Sequence, residues 1–226
     1  MGIVLFFIVL VIFVILYAVY IKRKSEASKN RNNNKTKETV NSAIKDDTFL
    51  IIKSASNLAT VTVIPVESMS SKKEYPHLLS SDATKLDTVL FSCFMLRAVC
   101  ISSSSNRNKA IEFSNEYVSS VINWAKELFE DCFDLEIVNS RFAFYDSIIA
   151  RNCSFLDSIN AIIEEFEYII KTDIIQNKFA PFSETSPMPI LGINEDMLCK
   201  IEVVSYYKSL LEYVKNRMDE AISAIQ

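Results

Sequence analysis

The sequence predicts an all-α protein: an N-terminal single transmembrane helix, a flexible linker, then a bundle of five or six amphipathic helices. Three observations carry this prediction. Residues Gly2 to Ile21 hold no charge, and Lys22, Arg23 and Lys24 follow at once. Glycine occurs twice in the chain, at Gly2 and Gly192, whereas sheet proteins rely on it in their tight turns. Downstream, apolar residues recur every three or four positions over long stretches, the period of a helix with one buried face.

The first element is residues 2–21. Twenty residues in a helix rise about 30 Å, the thickness of a bilayer's hydrocarbon core. Val, Ile, Leu and Phe dominate, and Tyr17 and Tyr20 lie near one end, where an amphipathic ring prefers the interface. A cleaved signal fits less well. No Lys or Arg precedes the run, and its end, Tyr17-Ala18-Val19-Tyr20-Ile21, offers no small-x-small cleavage site. The positive-inside rule then sets the orientation, with the N-terminus outside and the remainder cytoplasmic.

The second element is the linker, residues 22–47. Ser, Asn, Lys and Thr dominate it, and such a segment buries too little surface to offset its ordering entropy. Lys22, Arg23 and Lys24 form a basic collar at the membrane surface, each attracted to anionic headgroups by roughly 1 kcal/mol. Residues 22–37 carry seven basic groups and one acid, a net of +6; residues 38–226 carry 17 basic and 27 acidic groups, a net of −10.

The third element is the acidic domain, residues 48–226. Residues 48–64 read as either a helix or a strand. Val61, Val63 and their neighbours alternate like a strand, but no partner strand is evident, so a helix closed by Pro65 is favoured. After a loop, Ser81 or Asp82 caps a helix to about Ser102, apolar almost all round and broken by Ser92 and Arg97, as befits a central core helix. The next helix runs from about Asn108 to Phe133, with Ala110, Phe113, Tyr117, Val121, Trp124 and Leu128 as its stripe and Ile111, Val118, Ile122, Ala125 and Phe129 beside them, a wide apolar face. Asp134 caps a helix over 135–152, and Ser154 one to about Ile175. In the latter, Phe155, Ile159, Ile162, Phe166 and Ile169 face inward, and Glu164, Glu165, Glu167 and Lys171 outward. The segment 177–193 holds three prolines and Gly192, and is either a partner-docking segment or a strut. Asn194 caps a final helix whose stripe is Met197, Ile201, Val204, Tyr207, Leu211, Val214, Met218 and Ile225.

Composition excludes several functions. Two glycines cannot build a P-loop, a dinucleotide fingerprint or a nucleophile elbow. The single histidine, His77, rules out multi-histidine metal motifs. Five cysteines without a Cys-x-x-Cys pair indicate reduced core thiols rather than a zinc or redox site. An acidic body does not suit nucleic acid. No catalytic, metal or cofactor-binding residue is expected, and the chain is more readily a binding protein than an enzyme.

One polar constellation stands out. Arg141 and Tyr145 are spaced i,i+4 on one helix face, and Arg141 is embedded among Phe142, Ala143 and Phe144. A buried arginine needs a carboxylate, for which Glu112, Glu116 and Glu136 are the candidates. The alternative is a pocket around Arg141 and Tyr145 that orients an anionic ligand. The leading expectation is a membrane-tethered cytoplasmic module acting through protein–protein interaction, with self-association as one form of it.

Overall fold

The structure is a computed structural model that describes residues 39–69, 75–151, 155–176, 178–179 and 193–226. Among them are six helices and no strand: α1 Thr39–Met69, α2 Asp82–Ser102, α3 Arg107–Leu128, α4 Leu135–Arg151, α5 Phe155–Gln176 and α6 Ile193–Ala224. The anchor at 2–21 and the collar at Lys22, Arg23 and Lys24 lie outside the described residues. The chain divides into two units, Met1–Phe49 and Leu50–Gln226. In the first, the described residues are those of α1 up to Phe49. The second holds the bundle.

α1 differs from its expected form at both ends. It begins at Thr39, inside the stretch read as linker, and it runs on through Pro65. Proline withholds the N–H that would meet the carbonyl of Val61, yet the helix continues because its face is already packed. Ile51, Ala55, Leu58, Ala59, Thr62, Val63 and Val66 are all buried. Within α1, Asp47–Val66 is long and apolar enough to cross a membrane by length and composition. One face of it is buried, while Leu50, Ile52 and Ile64 on the other are exposed. The Thr62 hydroxyl lies 2.7 Å from the Tyr117 hydroxyl of α3 and donates to the Leu58 carbonyl at 2.7 Å.

α2 is the central helix, in contact with α3, α4, α5 and α6. Every residue from Leu86 to Leu96 is buried. Its start is fixed by a capping box: Ser81 Oγ accepts from the Thr84 N–H at 3.2 Å, and Thr84 Oγ1 from the Ser81 N–H at 3.1 Å. Asn106 caps α3 through the Lys109 N–H. Asp134 caps α4 through the Glu136 and Ile137 N–H groups. The aromatic core centres on Phe91, stacked on Phe166 at 4.0 Å and edge-on to Tyr145 and Tyr207. Contacts of this kind contribute about 0.5–1.5 kcal/mol each beyond their area.

Two stripes hold in part. In α3 Ala110, Phe113, Tyr117 and Val121 are buried as expected, and toward its end the buried line passes to Ala125 and the capping Phe129, leaving Trp124 and Leu128 exposed. In α6 Tyr207, Val214 and Ile225 are buried as expected, with Cys199, Val203, Tyr206 and Leu210 beside them, leaving Met197 and Ile201 exposed. Both helices carry more apolar residues than one face can hold, so periodicity alone allows two registers. α3 also ends at Leu128, where a turn bonded from Phe133 N to Phe129 O replaces the expected last turns.

Candidate functional site

Arg141 projects from α4 into the bundle and is 1% exposed. Its fork meets Asp87 of α2 twice, Nε to Oδ1 at 2.9 Å and Nη2 to Oδ2 at 3.1 Å. Asp173 of α5 lies 4.0 Å from Nη2. The Phe179 ring, just past α5, sits 5.4 Å from the guanidinium carbon. Helices α2, α4 and α5 are thereby joined by one cation. Burial alone would lower the arginine pKa, but the field and hydrogen bonds of Asp87 outweigh it and raise it instead. Arg141 is a fixed charge.

The expected partners were the wrong carboxylates. Glu136 is exposed and Glu112 and Glu116 are half-buried, while Asp87 and Asp173 are fully buried. A signal for both existed. Asp87 is an acid inside the apolar run of α2. Asp173 continues the stripe Ile162, Phe166, Ile169 at helical spacing. Lys171 was also misplaced: it is 4% exposed, with Nζ 2.7 Å from Glu167 Oε1. Glu167 one turn before it makes an i,i+4 pair of the kind that usually lies on a solvated face.

Tyr145 joins Arg141 as expected from their spacing. It is fully buried, and its hydroxyl finds no hydrogen-bond partner among the described residues. Burial, and then the negative charge of Asp87, hold the phenol well above its ordinary pKa against the pull of Arg141. It does not titrate near neutrality. An anion approaching Arg141 would have to displace a bidentate carboxylate from a closed interior. The geometry therefore favours a structural ion pair over an anion pocket.

A second constellation, centred on His77, escaped the sequence reading. The turn at 76–79 is held by Glu202 of α6, whose carboxylate accepts from the His77 N–H at 2.8 Å and the Leu78 N–H at 3.3 Å. Its other oxygen meets His77 Nδ1 at 2.6 Å. Nearby, the Tyr75 and Ser209 hydroxyls lie 3.1 Å apart. Four groups thus pin the approach to α2 onto α6. The available clue was Glu202 standing between Ile201 and the apolar pair Val203-Val204.

Among the described residues no group of three or more His, Cys, Asp and Glu side chains could hold a metal ion. A surface depression of about 470 Å³ lies at the α2–α3 turn, lined by residues including Ile101, Arg107, Ile111 and Asn115. It shares no residue with the Arg141 cluster. Cys93 and Cys100 are buried free thiols, Cys199 is buried, and Cys132 is half-buried. Burial pushes Cys93 and Cys100 up from 9.0 to about 12, which leaves them protonated and unreactive at neutral pH.

No family model, curated protein or solved structure matches the chain.

Proposed function

We propose that this protein is a single-pass, membrane-tethered helical module that acts by binding another protein. The observation that carries the reading is the uncharged run Gly2–Ile21 ending on Lys22, Arg23 and Lys24. Such a run spans a bilayer, and its basic flank stays on the cytoplasmic side. The bundle at residues 48–226 is then cytoplasmic. The reduced, buried thiols suit that compartment.

The binding half of the proposal draws support from the character of the bundle. Its most buried ionic group is a closed pair, and its most elaborate polar contact, at Glu202, fastens one element to another. Several large apolar side chains, by contrast, are exposed, and where such side chains adjoin they mark a protein-binding face.

The test is affinity capture of the detergent-solubilised full chain. The proposal expects one protein to co-purify in fixed stoichiometry, or the chain itself to elute as a defined oligomer. A strictly monomeric chain with no stoichiometric companion would contradict it.

A further inference from the structure

At the end of α3 the buried line passes to Ala125 and Phe129, and one flank of the apolar stripe is left exposed. Trp124 lies eleven residues after Phe113 and Leu128 eleven after Tyr117. Eleven residues are close to three helical turns, so both point to the same side as those buried rings. Phe113 and Tyr117 are fully buried, whereas Trp124 is 44% and Leu128 39% exposed. Spaced i,i+4, they form one apolar ridge.

The surroundings of that ridge are acidic. Between residues 126 and 134 stand Glu127, Glu130, Asp131 and Asp134 against one base, Lys126, all of them exposed. None of the four carboxylates makes an ion pair among the described residues. The α3 C-terminus adds its own partial negative charge at the same place. The half-buried Cys132 thiol is raised by burial first, then by Asp82 and by Asp131 of this group, with Asp173 and Asp87 behind them.

We propose that Trp124 and Leu128, with the carboxylates around them, form the docking site for a basic amphipathic segment of a partner protein. This rests on the reading of the protein as an interaction module and names the site and the chemistry it selects. An apolar face on the partner covers the ridge, and Lys or Arg beside that face meet Glu127, Glu130 and Asp131, while Asp134 stays engaged as the α4 cap. A bare apolar ridge would accept many partners. The acidic rim rejects acidic ones and the anionic membrane surface alike, because a like-charge approach is repelled.

Trp124 is the chain's only tryptophan, so its fluorescence reads this site alone. The experiment uses the full chain in phosphatidylcholine nanodiscs and two synthetic helical peptides, one of Leu and Lys, its twin of Leu and Glu, each also carrying a dye for anisotropy. The Leu/Lys peptide should shift Trp124 emission to the blue, saturably, and weaken as salt is raised, while the Leu/Glu twin should do neither. The exposed double change Glu130→Lys/Asp131→Lys should weaken the Leu/Lys peptide about tenfold or more. Leu128→Ser should weaken it with the charges intact.

Equal binding of both peptides, or no shift with either, would overturn the proposal. A blue shift that grows with protein concentration in the absence of peptide would overturn it too, since a second copy would then cover the ridge. Anisotropy showing Leu/Lys binding that leaves Trp124 and both variants unaffected would reject this site while leaving the interaction-module reading intact. Failure of that broader reading would show separately, as the absence of any stoichiometric companion.

Discussion

Removing one side of the Arg141–Asp87 pair strands the other charge inside the bundle, which costs about 3–5 kcal/mol. The two directions are not equal. Asp87→Asn leaves Arg141 with Asp173 4.0 Å away, whereas Arg141→Met leaves two buried carboxylates facing each other. Arg141→Met should therefore be the more destabilising, and Arg141→Lys should recover only part of the loss because a point charge cannot reproduce the fork. Urea unfolding followed by circular dichroism ranks the three. Alkaline pH makes a second prediction. The Cys93 and Cys100 thiols titrate near 9.0 when unfolded and about 12 when folded. Their neutral forms favour the fold, so their contribution is complete below about pH 9 and is lost as the pH rises through about 12. A stability profile that stayed flat over that window would contradict their burial. At this scale the sequence made Arg141 and Tyr145 legible, because two polar groups at i,i+4 inside an apolar stretch are conspicuous. The apolar settings of Asp87, Asp173 and Glu202 were legible too, but the group each one meets was not, because which helix supplies a partner depends on how the helices cross.

At the scale of the element, α1 carries the sharpest consequence. Its stretch Asp47–Val66 would suit a bilayer by length and composition, but Leu58 is fully buried and Thr62 meets Tyr117 within the bundle. Leu58→Ala should cost about 2–5 kcal/mol of bundle stability, the usual loss for a truncated core leucine. Were α1 a span in lipid instead, the same substitution would leave unfolding of the bundle nearly unchanged. The capping box of α2 allows a milder test: Ser81→Ala should cost about 1 kcal/mol. Helix starts at Ser81 and Asp134 were readable because a cap needs particular side chains at particular positions. The continuation through Pro65 was not, since tertiary packing overrode a local breaker. The exposure of Trp124 and Leu128 in α3 and of Met197 and Ile201 in α6 was not readable for a related reason. Trp124 and Met197 satisfy the period as well as the residues that are buried, and only the neighbours choose between them.

At the scale of the whole molecule, charge and burial are arranged in opposition. Seven bases crowd residues 22–37, and a net of −10 is spread over residues 38–226. In the account proposed here the bases hold the membrane surface and the bundle stays in the aqueous phase beside it. The measurement that tests this most directly is thiol labelling of the full chain carrying Ser119→Cys, an exposed position on α3, with a membrane-impermeant reagent. The parent chain serves as the reference. The account predicts that the new thiol pellets with membranes and reacts only after the cells are permeabilised. Reaction on intact cells, or recovery of the chain in the soluble fraction, would contradict it.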